Sequence, residues 1–209
     1  MALKPIRLTR IDETHRDSHT RLCADDHCLF LYEKTSGRDY TFSKSNNLIS
    51  NLKKPVTSNA NVLSYKRNAI SKCAADLRAS LRPEWLRIAT LVPIPPSKAP
   101  SDPAYDNRME QVCRLIVDGQ DVRNLVIQNT TMVANHARGT ADRVTVEELL
   151  AVYSIDESLA NPAPNVIGIV DDMLTAGTHY RAMHTVLSDR FPDATIIGIF
   201  VARRIFPDD

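Results

Sequence analysis

The chain has 209 residues, enough for one domain with a modest addition. Its 26 basic and 25 acidic side chains leave a net charge of +1, which argues against a dedicated nucleic-acid-binding protein. Hydrophobic residues make up 43% of the chain, and no apolar stretch is long enough to cross a membrane. The first ten residues lack the apolar core of a signal peptide, so we expect a cytoplasmic protein.

The first part of the chain predicts an arm followed by a small hood subdomain. Residues 1–21 are polar and weakly patterned, as expected of an extended arm. Residues 28–32 predict a strand, and the turn signal after them would let residues 39–42 pair back as a hairpin. Residues 45–47 (Ser-Asn-Asn) are candidate caps for a short helix. We therefore interpret residues 1–60 as an N-terminal arm and hood.

Strands and helices alternate through the remaining residues, 61–209. The predicted elements are a helix over 65–81 that Pro83 ends, a strand over 88–92, a helix over 108–119, a short strand within 122–127, a helix after Thr145, a strand over 166–170, a helix over 180–191 and a strand over 195–202. Such alternation indicates an α/β core with a mostly parallel sheet.

Two acids and a turn of small residues follow the apolar run 166–170. Asp171 and Asp172 are expected where the buried strand ends, and Thr-Ala-Gly-Thr over 175–178 precedes the next helix. A strand–loop–helix junction of this kind can bind phosphate, because its N–H groups converge and the helix N-terminus favours negative charge. The two carboxylates could hold sugar hydroxyls or Mg²⁺. The alternative is that the acids only cap the helix.

A proline-rich loop, Val-Pro-Ile-Pro-Pro-Ser-Lys over 92–98, follows an earlier strand. Prolines fix the backbone and remove N–H donors, so a helix cannot begin before Ser97. Ligands of open α/β sheets bind beyond the carboxyl ends of the strands, where this loop and the Asp-Asp loop would meet. The alternative is a stiff surface connection without a ligand.

In this order, the two loops resemble the pyrophosphate loop and the phosphoribosyl-diphosphate (PRPP) loop of type I phosphoribosyltransferases. The ComF-like branch is similar over about residues 28–204, through Leu-Ile-Ser-Asn-Leu-Lys (48–53), a helix, Val-Pro-Ile-Pro (92–95) and the Asp-Asp pair. Three features differ from that branch. Ala176 replaces a frequent Thr or Gly, Tyr-Asp-Asn-Arg (105–108) replaces Arg-Gly-Phe-Asn-Gln, and the N-terminal four-cysteine finger is not present as such.

The resemblance implies a type I phosphoribosyltransferase-like fold, with a mostly parallel central sheet flanked by helices and a small N-terminal hood. It also implies PRPP or a nucleotide as ligand and Mg²⁺ as cofactor. Asp171 and Asp172 would orient the ribose and hold Mg²⁺, directly or through water. The implied 5-phosphate ligands are Thr175, Ala176, Gly177 and Thr178, and the implied pyrophosphate ligands are Pro96, Ser97, Lys98 and Arg108. Arg138, near His136, lies where the family has a mobile loop, and would join Asp171, Asp172 and Lys98 in catalysis.

The implied reaction transfers phosphoribose to or from an unidentified acceptor, with pyrophosphate as the leaving group. This glycosyltransferase chemistry would belong to nucleotide metabolism. The alternative is a non-catalytic module that senses PRPP or a nucleotide, or a ComF-like accessory protein in DNA processing. The sequence also leaves open a homo-oligomer, a protein partner, and nucleic-acid binding through the arginines of the arm together with Lys53 and Lys54.

Four cysteines and several hood aromatics complete the candidate residues. Zinc at Cys23 and Cys28, with His15, His19 and His27 nearby in sequence, is conceivable, but the spacing is looser than in a zinc knuckle and argues against it. Cys73 and Cys113 are expected to be buried thiols. The hood aromatics are interpreted as core residues on strands, in preference to a platform for a base: Tyr32, Tyr40 and Phe42.

Overall fold

The computed structural model describes residues 6–128 and 144–207. The strands are β1 Thr9–Arg10, β2 Cys28–Thr35, β3 Thr90–Pro93, β4 Val126–Gln128, β5 Tyr153–Ile155, β6 Val166–Leu174 and β7 Thr195–Ile205. The α-helices are α1 Glu13–Arg16, α2 Lys44–Leu52, α3 Ala60–Ser80, α4 Pro83–Leu86, α5 Arg108–Ile116, α6 Val146–Leu150 and α7 Thr178–Arg190, with a 3₁₀ turn at Glu157–Leu159.

Five strands form a mostly parallel central sheet in the order β1-β2-β7-β6-β3. Only β1 runs antiparallel, against β2; the pairs β2–β7, β7–β6 and β6–β3 are parallel. A small antiparallel pair, β4–β5, lies apart from this sheet. The predicted α/β architecture with a mostly parallel sheet flanked by helices is therefore confirmed.

Each face of the sheet carries its own apolar core. Ile167 and Ile169 of β6 pack on one face with buried residues of α6 and α7. Val170 of the same strand packs on the other face with buried residues of α2, α3 and α5. Because successive side chains of a strand point to opposite faces, a central strand covered on both sides is apolar throughout, as the run at 166–170 is.

Helix starts follow short-range capping chemistry. Thr145 caps α6 in a reciprocal capping box with Glu148, and the helix begins directly after Thr145, as predicted. Asn59 caps α3 through a 3.0 Å bond to the N–H of Val62, so this helix begins five residues before its predicted start. The cap of α2 is Ser43, two residues before the predicted group, and Asn46 instead holds the end of β2 through Thr35.

Several local predictions are wrong. Residues 39–42 form turns and no strand, so there is no hairpin, and Tyr40 and Phe42 are exposed by 59% and 54% instead of lying in the core. Pro83 ends the α3 region but also begins α4. The arm contains β1 and α1, which residues 1–21 did not predict.

The residues predicted to form the arm and hood contact the core of the protein closely. β1 and β2 belong to the central sheet, and α2 packs on α3. The boundary at residue 60 therefore stays an interpretation of the sequence. Among the described residues, no helix is both long enough and apolar enough to cross a membrane.

Candidate functional site

Asp171 and Asp172 lie inside β6, which continues to Leu174. The prediction that the strand ends before them is wrong, because Met173 and Leu174 still pair with β7. Alternation along the strand sends the two carboxylates to opposite faces of the sheet. Asp171 is partly exposed, whereas Asp172 is 3% exposed.

Two cations hold the Asp172 carboxylate. Lys53, just after α2, places its Nζ 2.9 Å from Oδ1. Arg108, the first residue of α5, donates to Oδ2 from Nε at 2.9 Å and from Nη2 at 2.5 Å. Burial alone would raise the pKa of Asp172, but the charges of Lys53 and Arg108 prevail and hold it well below its usual value. Asp172 is therefore ionised at neutral pH.

The same arginine extends the network to a second acid. Arg108 Nη1 donates to Asp106 Oδ2 at 2.8 Å, and Lys66 Nζ donates to the same oxygen at 2.7 Å. Lys66, 3% exposed, also donates to the carbonyls of Leu52 and Lys54. The network comprises three cations (Lys53, Lys66 and Arg108) and two carboxylates (Asp106 and Asp172), so its net charge is positive.

Asp171 faces different surroundings. It accepts a 2.7 Å bond from the backbone N–H of Asp172. Burial and the charge of Asp172 raise the pKa of Asp171 to about 7. Nearby, Tyr153 Oη and His179 Nδ1 are 2.9 Å apart. Burial lowers the pKa of His179 to about 4, and burial together with the charge of Asp171 raises that of Tyr153, so this pair is neutral at pH 7.

The turn that follows β6 leads directly into the N-terminus of α7. Residues 175–177 connect the strand directly to α7, and Thr178 is the first helical residue. Gly177 has φ of +92°, a left-handed conformation that glycine adopts without strain. The free N–H groups at the start of a thirteen-residue helix favour a bound anion.

The proline-rich loop begins beside the acids. β3 pairs with β6, and the N–H of Ile94 donates to the carbonyl of Val170, the residue before Asp171. Gln128 fixes the carbonyl of Ser97 at 2.9 Å. Lys98 lies 3.6 Å from Asp102 in an ion pair within the loop. The structure thus brings the start of this loop to the Asp-Asp pair. Lys98 has a partner within the loop, and Pro96 lies in the loop between Ile94 and Lys98.

Of the predicted site residues, Asp172 and Arg108 are in contact, and Asp171 adjoins Asp172 in β6 with its side chain on the other face. Arg138 and His136 fall outside the described residues. The residues that sequence reasoning missed are Lys53, Lys66, Asp106, Tyr153, His179 and His19. Lys53 ends the Leu-Ile-Ser-Asn-Leu-Lys segment, which was a usable signal. Asp106 lies in Tyr-Asp-Asn-Arg (105–108), which was a second usable signal, and no spacing marks the others.

Metal binding and sequence similarity give little further information. In residues 6–128 and 144–207, no three His, Cys, Asp or Glu side chains are grouped so as to hold a metal ion. Cys28 is buried, which raises the pKa of its thiol to about 12, and Cys23 is exposed. Cys73 and Cys113 are buried as expected. No protein-family model matches the chain, and no curated protein is significantly similar to it.

Proposed function

We propose that this protein is a type I phosphoribosyltransferase-like protein that binds PRPP or a nucleotide and transfers phosphoribose to or from an acceptor. One observation carries the proposal. A buried, ionised Asp172, held between Lys53 and Arg108, lies three residues before the turn that opens α7. We call this turn, residues 175–177, the anion-binding turn for the role that we propose for it. A sugar phosphate needs these features side by side: hydroxyl acceptors, a phosphate cradle and positive charge.

The 5-phosphate would be held by the turn. The N–H groups of Ala176, Gly177 and Thr178 can donate to it, and the hydroxyls of Thr175 and Thr178 can add further bonds. Ala176 removes a side-chain hydroxyl but leaves the backbone donor intact. Asp172, and Asp171 when it is ionised, would accept hydrogen bonds from the ribose hydroxyls, since ionised carboxylates are pure acceptors.

The leaving pyrophosphate would be stabilised by the cations around Asp172. Loss of pyrophosphate builds positive charge on the ribose and negative charge on the leaving group, so fixed cations and acids on either side favour the transition state. Arg108 offers a planar fork suited to phosphate oxygens, and Lys53, 40% exposed at its side chain, can reach a ligand from the edge of the site. Lys98 would contribute by leaving Asp102.

Mg²⁺ fits the site only in part. Both oxygens of Asp172 are engaged by cations, which limits its use as a ligand. Asp171 accepts one backbone hydrogen bond and is free of ion pairs among the described residues, so it is the better ligand. Bound there with the substrate's oxygens, Mg²⁺ would supply charge neutralisation of the leaving pyrophosphate.

A sensing module is the second candidate. The cations that hold both oxygens of Asp172 favour it, because a binding protein needs charge complementarity without turnover. An enzyme must release pyrophosphate in the presence of an acceptor, whereas a sensor only binds. Binding therefore has to be tested before turnover.

The test is calorimetric titration of PRPP, with and without Mg²⁺. We expect saturable binding by the wild type and its loss in an Asp171→Asn/Asp172→Asn variant. Asp189→Asn, an exposed acid of α7, is the matched control and should bind like the wild type. Failure of the folded wild type to bind PRPP would overturn the proposal. Binding without pyrophosphate release across a panel of acceptors would favour the sensing module.

A further inference from the structure

A short N-terminal segment, residues 19–26, lies against the anion-binding turn; we call it the strap. Two consecutive carbonyls of the turn accept hydrogen bonds from it. His19 Nδ1 donates to the carbonyl of Thr175, and the N–H of Arg21 donates to the carbonyl of Ala176 at 2.9 Å. These contacts join residues more than 150 positions apart, so neither motif predicts the other.

The direction of these bonds matters for an anion. In a trans peptide the carbonyl and the following N–H point in opposite directions. Strap donors that hold the carbonyls of Thr175 and Ala176 therefore fix the N–H groups of Ala176 and Gly177 on the other side, away from the strap. An anion binds more tightly to N–H groups that are already held in place, because ordering each group on binding reduces the affinity.

Further contacts anchor the strap itself. Leu22 packs on Gly177 so closely that a Cβ there would lie 3.0 Å from its Cδ2. Arg181, in the first turn of α7, donates to the carbonyl of Arg21 at 3.2 Å and forms an ion pair with Asp26. Asp26 also accepts the N–H of Cys23 at 2.6 Å. The strap is thus tied to the helix whose N-terminus would face the anion.

His19 is the strap residue whose hydrogen bond depends on its tautomer and whose charge depends on pH. A carbonyl can only accept, so Nδ1 carries the hydrogen and Nε2 of the neutral ring does not. The residue is 0% exposed, and within the described residues Nε2 has no hydrogen-bond partner. A second proton would therefore place a buried charge near Arg203, Arg204 and His15, whose charges act on this ring.

We propose that His19 is a positioning residue for the anion-binding turn, and that the strap holds the N–H groups of Ala176 and Gly177 ready for a phosphate. This inference rests on the proposed function, because it assigns a role within the same site. It adds a residue that lies outside the Asp-Asp loop and contacts that loop through the carbonyl of Thr175.

The test compares His19→Gln with His19→Met. Gln can donate an N–H to the Thr175 carbonyl, whereas Met has similar bulk and no donor. We expect His19→Met to weaken PRPP binding about three- to tenfold and His19→Gln to bind nearly as the wild type does. Thermal unfolding of both variants checks that the fold is retained. Amide exchange at Arg181, which donates to the carbonyl of Gly177 at 2.9 Å, should be faster in His19→Met than in His19→Gln.

A pH series supplies a readout that packing alone would not change. Burial lowers the pKa of His19, against the raising effect of its bond to Thr175. We expect wild-type affinity for PRPP to fall, relative to that of His19→Gln, as acid protonates His19, because the second proton places an unpaired charge inside the strap beside Arg203 and Arg204. The ratio of the two affinities removes titration of the ligand itself. Equal affinity and equal exchange in the two variants would overturn the inference while leaving the proposed function intact. A wild type that binds no PRPP would overturn the proposed function and, with it, the anion role of the strap.

Discussion

The two neighbouring acids of β6 occupy opposite electrostatic environments. Asp172 is held by Lys53 and Arg108 on the face of the sheet that α2, α3 and α5 cover. Asp171, on the other face, lies near the neutral pair Tyr153–His179 and has no ion pair among the described residues. As a result, the pKa of Asp172 lies well below its usual value, whereas that of Asp171 is raised to about 7.

The contrast assigns different chemistry to two identical side chains. Asp172, which is ionised at neutral pH, can hold cations and accept hydrogen bonds. Asp171, which changes protonation near neutral pH, can gain or lose a proton when a ligand or cation arrives. Pairs of acids whose surroundings separate their pKa values are a frequent feature of reaction centres. The predictions below test each side of this contrast.

The largest effect is expected from Arg108→Met. The change leaves Asp172 and Asp106 buried with fewer partners, so we expect the free energy of unfolding at pH 7 to fall by roughly 3–5 kcal/mol. Urea denaturation measures it. Arg114→Met, in the same helix and paired with the more exposed Glu110, is the control and should cost less than about 1 kcal/mol. Equal losses would show that the network around Asp172 is not buried as described.

The Asp171 side is tested by Asp171→Asn across pH. Between 3.8 and about 7 the folded wild type holds a proton on Asp171 that the unfolded chain releases, so its stability falls as pH rises through this window. The asparagine side chain of the variant does not titrate. The variant should therefore gain on the order of 2 kcal/mol relative to the wild type from pH 4 to pH 7, after allowance for partial exposure. Urea denaturation at several pH values measures this, and a flat difference would contradict the raised pKa.

A smaller loss is expected from Tyr153→Phe. The change removes the hydroxyl that bonds His179 Nδ1 and leaves that nitrogen in partly buried surroundings. We expect the free energy of unfolding to fall by about 1.5 kcal/mol. Tyr65→Phe, at an exposed tyrosine of α3, is the matched control and should change stability little. An unchanged stability in both variants would mean that the Tyr153–His179 bond does not hold this side of the site.

The smallest effect is expected from Lys53→Met, because this partner of Asp172 is the more exposed one. We expect a loss of about 1 kcal/mol at pH 7. Since the pKa of Asp172 is lowered, its contribution is present above 3.8 and disappears as pH falls through the lowered value. The difference between variant and wild type should therefore vanish in acid, which acid-range urea denaturation measures. A difference that persists there would assign Lys53 a packing role.

Much of the local structure could be predicted from the sequence. The parallel strand at 166–170, the capping of α6 by Thr145 and the turn before α7 all depend on residues within a few positions of one another. Apolar period and capping chemistry act over that range, so they leave a readable pattern. The resemblance also placed Asp172 and Arg108 at one site, and their side chains are hydrogen-bonded in the structure. Asp171 is the neighbour of Asp172 in β6, but its side chain points to the other face of the sheet.

Only the tertiary structure decided which partners each acid has. Asp172 contacts Lys53 and Arg108, and His19 contacts Thr175. The two residues of each contact are between 64 and 156 positions apart in the chain. A single charged or imidazole side chain has no period that would mark its distant partner. The sequence by itself determined most of the strands and helices and the chemistry of the loops. The tertiary structure determined which cations pair with Asp172, and therefore which of the two acids stays charged at neutral pH.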